Sequence, residues 1–164
     1  MRKVLEQAVN EIRQHRREII GRLKDFAKTD LLFFWGEKRD LFLQQQEKWL
    51  PILDWASTEL RTELNKTETL DVPDNSAMQN PLTEVLIGMT DKELACFYAA
   101  ALNMRSVLLA LALVKHRISA EEAYELSYLE EMWQNEKWGT DTEAVCRREE
   151  RLAELKEIES FLAE

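Results

Sequence analysis

The side chains able to do chemistry are few, and their spacing decides what they can form. The chain has two histidines, His15 and His116, and two cysteines, Cys96 and Cys146. With only these two histidines, far apart and without a set of cysteine or carboxylate ligands gathered around either, a zinc or di-iron site has no material. Neither histidine has a neighbour that would make a nucleophile–base pair. No glycine-rich loop precedes a helix, so there is no phosphate cradle. Glu130 and Glu131 are adjacent, and adjacent residues on a helix point in different directions. They are therefore not a paired-carboxylate site. The expectation is a protein that is not an enzyme and uses no cofactor or metal.

One stretch, LEEMWQNEKWG at 129–139, still combines carboxylates, two tryptophans, a glutamine and a terminal glycine. At about 100° per residue, Leu126, Leu129 and Trp133 share one side of a helix, with Ala123 beside them. That side reads as the core face. Tyr124, Tyr128, Glu131 and Asn135 fall opposite. Tyrosine combines large contact area with a polar tip and is enriched at interfaces. The opposite face is thus either a contact surface or a face covered by another helix. Gly139 supplies a left-handed residue to end the helix, and Trp138 packs at the corner.

The elements that position these residues are helices almost throughout. Val4, Leu5, Ala8, Val9, Ile12, Ile19, Leu23 and Phe26 recur at helical spacing. Lys28-Thr29-Asp30 breaks that first helix, and LLFFWG (31–36) is a short apolar piece. A second helical region covers about 40–64, with Pro51 either kinking it or starting a new helix. Residues 65–80 form the one substantial loop, and a short helix follows Pro81. Capping-box patterns at Thr90–Glu93, Ser119–Glu122 and Thr140–Glu143 mark three helix starts, the last opening a helix over 142–163. The segment 91–116 has nearly the length of a membrane span. Asn103, Arg105 and Ser106 at its centre make insertion costly. It reads instead as one central helix, with Arg105 either paired inside or turned to an edge. The expected fold is all-α, one domain over 1–164, with about six helices around the buried 91–116 helix.

Composition agrees. The 164 residues are 45% hydrophobic, with four glycines and three prolines, and the formal charge is −9. General phosphate-backbone binding needs basic surface, so no nucleic-acid partner is expected. Residues 1–28 hold eight basic against four acidic residues, which reads first as a solvated face and second as a nucleic-acid adaptor surface. The separated cysteines suit a reducing compartment. No apolar signal segment opens the chain, and Glu6, Glu11 and Glu18 argue against a transit peptide.

SVLLALALVKHRISAEEAYELSYLEEMWQNEKWG (106–139) resembles the ATP synthase alpha-subunit assembly chaperone family, the Atp-twelve type. Its members read as a small residue with LALAL, then AEEA, then a run ending W/Y-Q-x-x-x-W-G. Thr29-Asp30-Leu31-Leu32 is similar to the family's TDLL, and Trp49-x-Pro51-Ile52-Leu53-Asp54-Trp55 to its W-x-P-L-L-D-W. The resemblance extends over almost the whole chain. Members carry an N-terminal β-rich domain, and this chain begins where that domain ends in them. They also carry Cys and Tyr after TDLL, where this chain has Phe33, Phe34 and Trp35.

The resemblance implies a chaperone without a nucleotide cycle. It would bind the unassembled alpha subunit of the F-type ATP synthase head and prevent its aggregation until the beta subunit replaces it. The expected client-binding residues are Glu131, Tyr124, Tyr128, Gln134 and Asn135, with Gln134 open to a structural role as well. Trp133, Trp138 and Gly139 are expected to be structural. Glu131 is expected to be solvated and to contribute little to stability. The expected protein is a monomer, not membrane-inserted, cytoplasmic if bacterial and in the mitochondrial matrix if eukaryotic. The alternative is a small-ligand or enzymatic bundle with an interior polar site around Asn103, Arg105 and Tyr98.

Overall fold

The computed structural model describes residues 1–164, which form eight α-helices and no β-strand. They are α1 (Arg2–Ala27), α2 (Arg39–Leu60), α3 (Gln79–Ile87), α4 (Asp91–Met104), α5 (Val107–Val114), α6 (Ala120–Ser127), α7 (Leu129–Trp138) and α8 (Thr142–Leu162). Two 3-10 turns, Leu31–Phe33 and Ser76–Met78, complete the regular structure. No helix is long and apolar enough to cross a membrane.

The hydrophobic spacing of 2–27 produces α1, whose buried side is Leu5, Ile12, Ile19, Ile20, Leu23 and Ala27. Pro51 lies inside α2 and does not split it. Pro81 sits in the first turn of α3, where its missing N–H costs nothing. The loop between α2 and α3 is anchored by Thr67, whose N–H donates to Phe33 O at 2.7 Å and whose carbonyl accepts from Trp35 N–H at 2.9 Å. LLFFWG is therefore a buried turn pinned from both sides.

The expected central helix 91–116 is two helices. α4 ends at Arg105, which adopts left-handed φ 59°, ψ 29°. Ser106 then caps α5, its side chain accepting from Leu109 N–H. Serine at that position ties up free N–H groups better than it serves a helix interior. The Asp30 carboxylate reinforces the new start, accepting from Leu108 N–H at 3.0 Å and from Ser106 Oγ at 2.7 Å. The chain therefore gains more by restarting the helix than by continuing it. The sequence reading was right about burial: all eight residues of α5 are buried. α5 packs against α1, α2, α4, α6 and α8, and burying each Val or Leu contributes about 1.5–3 kcal/mol.

Arg105 is exposed, so of its two expected placements, paired inside or turned to an edge, the structure has the second. The left-handed cap turns it out of the helix line. Tyr98 is half-buried and does not join Asn103 and Arg105 in one cavity. The interior polar site of the ligand-binding alternative therefore does not form. Helix starts were well marked: Thr90 and Glu93 make the full capping box, and Ser119 accepts from Glu122 N–H at 3.1 Å. For α8 the cap is Asp141, which accepts from Glu143 N–H, rather than Thr140. Its carboxylate also suits the positive helix end.

Candidate functional site

The core and outward faces expected over 120–139 require one continuous helix. The structure breaks it at Tyr128 (φ −105°, ψ 14°), between α6 and α7. Angles counted across that break do not carry over. Tyr128, expected on the outward face, is buried, and its hydroxyl donates to Asn103 O at 3.1 Å. Burial pushes its phenol above the ordinary tyrosine range. Tyr124 is half-buried and lies against it, ring centroids 5.2 Å apart. Leu126 and Leu129, expected in the core, are only half-buried and line a groove between α6 and α2.

The two sides of α7 are held by different neighbours. Towards α2, Trp133 is buried and its indole N–H donates to Asp40 Oδ2 at 3.0 Å. Lys137 reaches the same oxygen at 3.0 Å. Lys137 first and the Trp133 N–H second hold the Asp40 carboxyl below its usual range. Towards α8, Glu131 accepts from Arg148 at 3.1 Å, with Arg147 at 3.7 Å. With its amide oxygen facing the guanidinium, Asn135 accepts from Arg148 at 2.7 and 2.9 Å.

Arg148 is buried at 8% exposure. A buried guanidinium without an acceptor would be costly, so Glu131 and Asn135 are first of all its partners. The expectation of a freely solvated Glu131 is thus overturned: its side chain is 27% exposed and paired. The reading of this face as one covered by another helix holds at Tyr128, Glu131 and Asn135. Glu130 lines a concavity beside Phe34, Trp35 and Leu70.

What remains open on α7 lies elsewhere. Gln134 is exposed. Trp138, expected to pack at the corner, is 72% exposed, although its ring meets Trp133 edge-on at 5.7 Å. Gln134 and Trp138 are four residues apart and so share a side of the helix. Gly139 ends α7 with φ +90° and ψ 168°, more extended than the left-handed residue expected but still glycine territory. Sequence reasoning missed Trp138 as a surface residue because tryptophan at a helix end reads as a packing residue. No group of three or more histidine, cysteine or acidic residues is placed to hold a metal.

No protein-family model matches the chain. Its backbone superposes on solved structures with high agreement. The crystal structure of Atp12 from Paracoccus denitrificans matches at TM-score 0.88 and 30% identity, over 95% of this chain and 68% of that one. An aspartate-to-lysine variant of P. denitrificans Atp12p gives the same values. A candidate chaperone from Agrobacterium tumefaciens matches at TM-score 0.86 and 28% identity, over 95% of this chain and 59% of that one. Identity at this level, sustained across nearly every helix described above, shows common descent as well as common fold: the chain belongs to the Atp12 family of ATP synthase assembly chaperones.

Proposed function

We propose that the protein binds the unassembled alpha subunit of the F-type ATP synthase head, keeps it from aggregating, and yields it to the beta subunit. The observation that carries this reading is the match to Atp12 over 95% of the chain. The physical features support it. The structure is a helical body with one contiguous hydrophobic cluster, which suits a rigid platform rather than a cycling machine. The chain's charge of −9 keeps such a platform soluble while it covers an apolar client patch.

The client surface we propose is the end of α7 and its surroundings. Trp138 and Gln134 supply exposed contact there. Glu131 and Asn135, part-exposed on the same helix, extend that surface towards α8, and part-exposed Tyr124 adds the ring that packs on buried Tyr128. A large exposed indole beside amide and carboxylate groups is the composition of an interface centre. Release to the beta subunit requires moderate affinity. The protein would act as a monomer, without nucleotide, in the cytoplasm or the matrix.

The test is aggregation of isolated alpha subunit, followed by light scattering, with near-stoichiometric protein and no ATP. Suppressed scattering, relieved into an alpha–beta complex when beta subunit is added, is the expected result. Scattering unchanged by the protein would overturn the proposal.

A further inference from the structure

The C-terminal end of α4, the start of α7 and the first half of α8 enclose a surface concavity whose lining includes Asn103, Arg105, Tyr128, Glu131, Arg147 and Arg151. Three guanidinium-bearing residues in one small lining are unexpected on a chain with formal charge −9. Glu131 is the one carboxylate among them, and it is already engaged by Arg148 and Arg147. Arg151 holds Glu154 only at 3.4 Å and is 45% exposed. Arg105 stands exposed. The concavity is therefore locally cationic.

One residue of its lining carries a buried, unsatisfied acceptor. Asn103 is 6% exposed. Its Nδ2 donates to Arg151 O at 3.1 Å, and its own carbonyl accepts from Tyr128 Oη. Its Oδ1 has no partner. Buried polar atoms are nearly always satisfied, and an orphan calls for a reason. Sealed from solvent, this oxygen meets no ligand without a change of side-chain conformation.

The backbone at Arg105 is a second oddity. It sits in the left-handed region, where glycine is free of strain and a branched or long side chain is not. The helix end would be at least as comfortable with glycine. The guanidinium, not the backbone, is what arginine adds there.

We infer that this concavity receives an aspartate or glutamate side chain from a polypeptide segment of the client. The carboxylate would accept from Arg105 and Arg151, two of the guanidinium groups in the lining. Charge-assisted contacts to guanidinium groups favour carboxylates and fix orientation. The inference rests on the chaperone reading above, because it names the chemistry by which the client is held.

The experiment uses the full chain with two probes. The first is a fluorescent peptide of alternating Glu and Ala, with its Gln–Ala counterpart as control; the second is isolated alpha subunit. Wild type should bind the Glu peptide and not the Gln one, less tightly in high salt. Arg105→Gly should melt no lower than wild type yet lose about tenfold or more in peptide affinity. Arg151→Gln should weaken binding in the same direction. Equal binding of both peptides, or full affinity in a stably folded Arg105→Gly, overturns the pocket. Complete displacement by millimolar free glutamate would make the occupant a small carboxylate and also overturns it. If Arg105→Gly protects alpha subunit as well as wild type does, this inference fails and the chaperone reading stands. If wild type protects nothing while the peptide arm succeeds, the chaperone reading fails alone.

Discussion

Arg148 on α8 reaches back to Glu131 on α7 at 3.1 Å and closes the side of the molecule where an open carboxylate had been expected. The two side chains are 10% and 27% exposed, so the pair is shielded on its arginine side. The geometry ties α8 to α7 and makes Glu131 a structural partner before it is anything else.

That relationship reverses the expected behaviour of Glu131→Gln. The amide keeps one acceptor but loses the charge that matches a buried guanidinium. The variant should lose about 1–3 kcal/mol of stability, where Glu130→Gln should stay within about 0.5 kcal/mol. Urea unfolding of the two variants beside wild type decides it. Equal midpoints would show that Asn135 alone satisfies Arg148. Any client-binding defect of Glu131→Gln must then be read at a temperature where both proteins are fully folded.

The two tryptophans of α7 should separate stability from contact. Trp133 is buried at 6% and donates to Asp40, whereas Trp138 is 72% exposed. Trp133→Ala should cost about 3–5 kcal/mol, as large aromatic truncations in cores do. Trp138→Ala should cost less than about 1 kcal/mol and yet reduce protection of alpha subunit in the scattering assay. A Trp138→Ala protein that unfolds early but protects normally would return this residue to a purely structural role.

Gly139 offers a sharper backbone test. Its φ of +90° is one that other residues reach only with strain, although an added Cβ would meet nothing within 4 Å. Gly139→Ala should therefore destabilise by about 1–2 kcal/mol through conformation alone. Thermal melting checks it, and an unchanged melting temperature would mean that the 139–141 turn relaxes freely.

Helix existence was legible because periodic leucines and caps such as Thr90–Glu93 report on local chemistry. Two breaks were not. Between Met104 and Val107 only Arg105 and Ser106 intervene, with no proline or glycine to mark a break, and what reinforces the restart is Asp30, which is 76 residues distant from Ser106. Between Ser127 and Leu129 no proline or glycine marks the bend. That single break turned Tyr128 inward and Leu126 partly outward. The faces of the candidate segment were assigned with an angle that the bend cancels. Which helix would cover Glu131 depended on Arg148, and long-range pairs leave no trace in spacing.

Asp30 carries the last prediction. It is fully buried, with Ser106 Oγ and Leu32 N–H on one oxygen and Leu108 N–H on the other. An amide nitrogen on either side would face a donor, so Asp30→Asn should lose about 1–3 kcal/mol at neutral pH. The pH dependence carries a definite sign. Burial raises the folded carboxyl above the unfolded value of 3.8, against the lowering effect of Leu108, Ser106 and Leu32. Between those two values the folded protein holds a proton that the unfolded chain has lost. Stability linked to Asp30 is therefore greatest below 3.8 and declines as pH rises through the folded pKa. Asp30→Asn cannot titrate there and lacks that slope. Measured as the difference in unfolding free energy, the advantage of wild type over the variant should grow as pH is lowered towards 3.8. An advantage that instead shrinks on acidification would mean that the helix end and the three donors outweigh burial, holding the carboxylate charged below its ordinary range.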